Sequence, residues 1–183
     1  MREDFARVLQ AARAGSESAW THMYKDLAPG AIGYLRGQGA PDPEDIAADV
    51  FLEVVRDLHR FEGDYGQFRS WVFSIAHLRL LDARRREGRR PVRPASPDLL
   101  SDKGGVGDSE QEALEALGVQ RIERLLGGLS RDQRDVLLLR IVGDLSVEQV
   151  AAVLGKRPGT VRVLQHRGLA RLRRRMSKAD VTK

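Results

Sequence analysis

The sequence predicts an all-α protein: two small helical domains joined by a flexible linker, the C-terminal one containing a helix-turn-helix. Three observations lead there. Apolar residues recur at helical spacing on both sides of a central stretch. Residues 91–112 lose that periodicity and fill with Pro91, Pro94, Pro97, Gly104, Gly105 and Gly107, the composition of a linker. Residues 143–175 form two capped helical patterns separated by a Gly- and Pro-containing turn. The expected domains are 1–90 and 113–178.

In chain order, Phe5, Val8, Leu9 and Ala12 mark a first helix that Gly15 ends. Trp20, Met23, Tyr24 and Leu27 mark a second, which Pro29-Gly30 should break. Ala31, Ile32 and Leu35 suggest a short third piece closed by Gly37 and Gly39. Asp42 can cap the next helix, and Pro43 fits its first position, where a missing N–H costs nothing. Ile46, Val50, Val54 and Leu58 give this helix one apolar stripe, with Ala47, Phe51 and Val55 beside it. Asp45, Asp49 and Glu53 fall four apart, a line of like charge that slightly destabilises an isolated helix. It is either a solvated face or a dock for a basic partner. Residues 60–69 read as a loop holding Phe61, Tyr65 and Phe68, rings that either tuck into the domain or stack unpaired bases. Ser70 can cap a helix from Trp71 to about Arg90, apolar on two sides and ending in the basic cluster Arg84-Arg85-Arg86.

Beyond the linker, helical patterning resumes at Ala113, Leu114, Leu117, Ile122, Leu125 and Leu126. Ser130 with Gln133 makes a capping box opening a helix to Val142, and Ser146 with Gln149 makes another. Gly155 suits a left-handed helix end. Pro158-Gly159 should form the turn and Thr160 the cap of the last helix. In that helix Val161, Leu164, Gly168, Leu172 and Met176 share one side, expected to pack on the preceding helix. Arg162, Val163, His166, Arg167, Ala170, Arg173 and Arg174 share the other. From Lys156 to Lys178 there are nine Lys or Arg and no acid, a strip suited to phosphate oxygens.

Composition narrows the function. Hydrophobic residues at 42% can fill helical cores, and a net charge of +5 favours an anionic partner. The absence of cysteine excludes disulfides, thiolate metal sites and thiol redox sensing. No apolar run approaches the roughly 18 residues of a membrane span, and the N-terminus lacks a signal pattern, so no membrane insertion and a cytoplasmic location are expected. There is no nucleotide-binding Gly loop, zinc motif or nucleophile–base set, and the four histidines are scattered. Binding rather than bond chemistry follows, with no catalytic residue, metal or cofactor.

Several ordered motifs carry a resemblance. Residues 43–52 (PEDIAADVFL), 68–76 (FRSWVFSIA) with Asp82 and Arg84-Arg85-Arg86, 129–139 (LSRDQRDVLLL) and 159–162 (GTVR) resemble bacterial RNA polymerase sigma factors of the extracytoplasmic-function (ECF) group. These keep the second and fourth conserved sigma regions. The resemblance implies a non-enzymatic initiation factor that binds core RNA polymerase, through its largest-subunit clamp and its flap, and promoter DNA. It implies that Asp45, Asp49 and Glu53 meet the clamp. It also implies that Tyr65, Phe68, Arg79, Arg84 and Arg85 serve the minus-ten element, partly by capturing an unstacked base. Thr160, Arg162, Val163, His166, Arg167 and Arg173 are expected at the minus-35 element in the major groove. An anti-sigma protein is a further expected partner. The chain departs from the family pattern at Ala48 and Leu78, which bear on the clamp and minus-ten contacts, and at Val163 and Leu164, so its minus-35 sequence should differ from the commonest one. Two alternatives stand beside this: a stand-alone helix-turn-helix regulator of duplex DNA, and a nuclease holding metal on Asp42, Asp45 and Asp49.

Overall fold

The computed structural model describes residues 2–89 and 125–180. Regular structure among these residues is helical throughout. The expected linker and the patterning at Ala113, Leu114, Leu117 and Ile122 lie outside the described residues, and so do the expected domain limits at 90 and 113.

A 3-10 turn, Arg2–Asp4, leads into α1, Phe5–Arg13, which buries Phe5, Leu9 and Ala12. Helix α2 runs unbroken over Glu17–Gly37, capped by Ser16, whose hydroxyl accepts the Ala19 N–H. The break expected at Pro29-Gly30 is absent. Proline removes one helical donor, but Pro29 faces solvent, where water can satisfy the carbonyl left over, while Leu27, Ala28, Ala31, Tyr34 and Leu35 on the inner face are buried. Core packing on both sides of the proline outweighs its local cost.

Helix α3, Pro43–Asp57, begins with Pro43 in its first turn, as expected, but the Asp42 side chain makes no cap bond. A 3-10 turn, Leu58–Arg60, closes it. Helix α4 spans Tyr65–Arg89 and starts five residues before the expected Ser70 cap. Asp64 begins it instead: its carboxylate accepts the Gln67 N–H at 2.8 Å, while the Asp64 N–H donates to the Gln67 side chain at 2.8 Å. Phe61, Tyr65 and Phe68 surround Phe5, with ring centroids 5.2–6.3 Å away, so the aromatic segment staples α1 to α4.

In the second half, α5 is Arg131–Ile141, α6 is Val147–Leu154 and α7 is Pro158–Asp180. Both expected capping boxes are formed, from Ser130 with Gln133 and from Ser146 with Gln149. Gly155 takes φ 61°, the left-handed conformation that lets the chain leave α6. Pro158 proves to be the first residue of α7 rather than part of the turn, so Thr160 sits inside the first helical turn and does not cap it. Gly168 faces Leu137 of α5, whose Cδ1 would lie 2.9 Å from an added Cβ. The apolar side of α7 therefore packs on α5 as well as on α6.

The two halves share one continuous apolar core. The carboxyl end of α5 lies along α2, and α6 abuts the start of α4.

Candidate nucleic-acid interface and docking face

The basic face of α7 is the best-formed surface. Val161 is fully buried and Gly168 is buried, which fixes the rotation of the helix. Arg162, Val163, His166, Arg167 and Arg173 consequently all point to solvent, together with Thr160 in the first turn. Arg162 pairs with Glu148 of α6 at 2.9 Å, with side chains 61% and 64% exposed. Such a pair holds little energy and releases readily to a stronger anion. A rigid helix with adjacent arginines and an exposed aliphatic Val163 can set donors against base edges and a methyl contact against thymine.

On α3, Asp45 and Asp49 are exposed, but Glu53 is not a free acid. It accepts the Arg79 Nε–H at 2.9 Å and a second bond from Nη2, joining two residues expected at different sites. Asp42, Asp45 and Asp49 line a cleft of about 320 Å³ that Arg86 and Glu87 of α4 complete. Among the described residues no three His, Asp or Glu side chains converge as metal ligands. Sequence reasoning missed the apolar part of this face. Leu52, Val55 and Tyr24 are 68%, 51% and 47% exposed, and Trp20, Tyr24, Phe51 and Val55 line an apolar cleft of about 370 Å³ between α2 and α3. A signal was present: α3 is apolar around more of its circumference than one buried stripe needs.

The minus-ten expectations need correction at two residues. Phe68 is 1% exposed and lies among Phe5, Phe61 and Trp71, so it has no face open to a base. Tyr65 is 8% exposed, and its hydroxyl donates to Asp26 at 2.5 Å and accepts from Arg69 at 3.1 Å. Burial and the Asp26 hydrogen bond push its phenol above the usual tyrosine range. In a chain with few aromatics, the hydrophobic gain from burying these rings outweighs any use for them at the surface. Arg84 is partly buried and donates to the backbone and side-chain oxygens of Gln38 at 2.6 and 3.2 Å. Arg85 stays exposed and pairs with Asp82 at 3.0 Å.

Sequence reasoning also missed a buried polar cluster where the halves meet. Gln38 donates to Asp135 of α5 at 2.5 Å, across 97 residues of chain. The Tyr34 hydroxyl bonds His77 Nδ1 at 2.8 Å. Burial, with Asp135 close by, pushes the Tyr34 phenol well above its ordinary value. Burial pushes the Asp135 carboxyl up and the His77 imidazole down. Nothing local marks these residues, because the contact exists only once α2, α4 and α5 meet.

Residues 20–90 match the sigma-70 region 2 family and residues 119–172 match sigma-70 region 4. The chain is 34% identical over 174 residues to the ECF RNA polymerase sigma factor SigD of Mycobacterium tuberculosis, covering 91% of this chain and 81% of that one. It is 32% identical over 187 residues to the ECF RNA polymerase sigma factor ShbA of Streptomyces griseus, covering 94% and 97%. It is 30% identical to the ECF RNA polymerase sigma factor RpoE of Cereibacter sphaeroides, covering 96% and 97%. In fold it resembles CnrH, solved in complex with the cytosolic domain of CnrY, with a TM-score of 0.66 at 21% identity over 93% of this chain and 96% of that one.

Proposed function

The chain belongs to the ECF RNA polymerase sigma factors, and from that we propose how its own residues divide the work of binding core polymerase and directing initiation at specific promoters. The observation that carries the assignment is the exposed basic strip of α7 on a capped helix-turn-helix. Arg162 and Arg167 read base edges of the minus-35 element, with Val163 on a thymine methyl and Thr160, His166 and Arg173 on the backbone. Val163 is exposed where the family pattern is polar, which supports a preference for a methyl-bearing base at that position.

Helix α3 meets the polymerase clamp with Asp45 and Asp49, flanking the exposed Leu52 and Val55. Acids steer the encounter and apolar area holds it. The minus-ten element meets the outer side of α4, with Arg85 on phosphate and Arg79 released from Glu53 on contact. Tyr65 and Phe68 brace that side from within. The protein supplies binding and orientation, and the polymerase supplies bond chemistry, so no catalytic group is assigned to this chain. Among the described residues no helix is long and apolar enough to cross a membrane, which is compatible with action beside polymerase in the cytoplasm. An anti-sigma protein is proposed as a second partner from family habit; capture of a co-purifying protein that blocks transcription would support it.

The test is transcription from pooled genomic promoter fragments with sigma-free core polymerase, followed by sequencing of transcript starts. Discrete starts sharing two spaced upstream elements are expected. Duplex binding by the chain alone, with neither core association nor starts, would instead indicate a stand-alone regulator.

A further inference from the structure

Beyond its reading positions α7 runs on through Arg173-Arg174-Arg175-Met176-Ser177-Lys178. Ser177 carries the one hydroxyl of this helix past Thr160. It follows Arg173 by four residues and His166 by eleven, which at about 100° per residue sets it on the basic side of α7. The side chain is exposed, and its hydroxyl donates to the Arg173 carbonyl at 3.1 Å. A serine bonded back onto its own helix adds no helix stability, and an exposed one adds nothing to the core. Arg173 and Arg174 are exposed one turn before it, with the Arg174 Nε–H directed at the Ala170 carbonyl at 3.4 Å. Arg175 turns the other way, onto Gly128. Ser177 therefore stands near the end of a strip that holds nine Lys or Arg and no acid from Lys156 to Lys178. Helical spacing keeps two guanidiniums within its reach.

We propose that Ser177 is a phosphorylation site for an arginine-directed protein kinase, and that its phosphate weakens the hold of α7 on duplex DNA by pairing with Arg173 and Arg174. The inference rests on the reading of α7 as a duplex-binding helix. A kinase that selects arginine two and three residues before its serine does so with carboxylates, which pair bidentately with guanidinium. Arg175 and Arg174 stand at those two places. The last turns of a helix open readily, so this segment can extend into a kinase cleft. The Ser177 Oγ then bonds to the γ-phosphorus of ATP. The bond from that phosphorus to its bridging oxygen breaks and releases ADP, and the hydroxyl proton passes to the catalytic carboxylate of the kinase. The product carries a charge of about −1.5 to −2 at neutral pH and makes charge-assisted bonds to the arginines three and four residues before it. Two cations that would displace counterions from DNA are then neutralised. With a slope of about 0.9 per phosphate contact, losing two contacts lowers affinity at about 0.1 M salt by about tenfold or more. The phosphate lies about 16 Å along the helix from His166, beyond a Debye length of about 8 Å. Affinity therefore falls while the sequence read by the start of α7 stays the same.

The full chain is treated with ATP and, as probe, the catalytic subunit of cyclic-AMP-dependent protein kinase, which takes a serine preceded at two and three residues by arginine. Peptide fragmentation should place one phosphate, on Ser177, and Ser177→Ala should take none. Each form is then bound to core polymerase, and its binding to pooled promoter fragments is read across about 0.05 to 0.3 M KCl. Relative to the unmodified holoenzyme, the phosphorylated one should bind about tenfold more weakly or worse, with a log–log salt slope flatter by about two. Ser177→Glu, with one added charge, should flatten it by about one, and Ser177→Ala should leave it unchanged. Transcript starts should fall in number and keep their upstream elements. A chain that takes no phosphate overturns the proposal, as does one that takes it on Thr160, which Arg157 precedes by three residues. Equal affinity and slope with and without the phosphate, while the unmodified holoenzyme starts transcripts, refutes this proposal alone. An unmodified holoenzyme that neither binds nor starts at any fragment refutes the promoter reading and this proposal with it.

Discussion

Phe68 and Arg167 both stand out as candidate DNA contacts in the sequence, and burial separates them. Phe68 is walled in by three aromatic neighbours. Phe68→Ala should therefore lower unfolding free energy by about 3–5 kcal/mol, read by urea denaturation. A stability loss below about 1 kcal/mol would show that the ring is not core. Arg167 is exposed on the outer face of α7. Arg167→Ala should leave the melting temperature unchanged, weaken duplex binding, and flatten the salt dependence by about one unit of slope if it meets phosphate, or relax one base position if it meets a base edge. Unchanged binding would remove it from the interface. Arg79 lies between these cases. Its charge was legible, but its partner Glu53 was not, because the pair forms across two helices.

Capping chemistry explains why the helix starts in the second half were legible. Ser130 with Gln133 and Ser146 with Gln149 are local signals three residues apart, and both close as boxes. The start of α4 obeys the same chemistry through Asp64 and Gln67, although Ser70 offered a competing cap. The stronger anchor was the aromatic cluster, which draws Tyr65 and Phe68 into the helix. Pro29 misled for a related reason: a breaker acts on the local backbone, and buried neighbours on either side overrule it. Ser146→Ala should cost about 1 kcal/mol by thermal melting. Because Gln149 also bonds Gly66, the same change should loosen the contact between the halves. Faster hydrogen exchange at the first turn of α4 as well as of α6 would register that coupling, whereas exchange confined to α6 would refute it.

At the scale of the whole molecule, the buried polar cluster predicts a pH signature. His77 is held below its ordinary value, chiefly by burial, with Arg131, Arg84 and Lys156 adding to the effect and Asp135 opposing it. Its depressed pKa means that its share of stability is present above about pH 6.5 and is lost as pH falls toward the folded value. Asp135 is held above its ordinary value, again chiefly by burial, with His77, Arg84, Arg131 and Gln38 opposing. Its contribution has the other sign: stability grows as pH falls through its folded pKa. The two limbs oppose each other in the wild type. Relative to it, His77→Gln should gain stability as pH falls below about 6.5, and Asp135→Asn should lose it as pH falls toward the ordinary carboxylate range. Parallel melting curves for all three proteins would disprove this coupling.

Helix periodicity, two capping boxes, a glycine helix end and a one-signed basic strip determined by themselves that the chain is helical and that its last helix presents cations on one face. Each is a relation between residues a few positions apart, so local physics suffices. Only the tertiary structure decided that Phe68 and Tyr65 are buried, that Leu52 and Val55 are left exposed beside the acidic line, and that Pro29 and Gly30 lie inside an unbroken helix. Those outcomes depend on which surfaces meet across tens of residues. Burial, close approach and paired desolvation have no value until the helices are placed together.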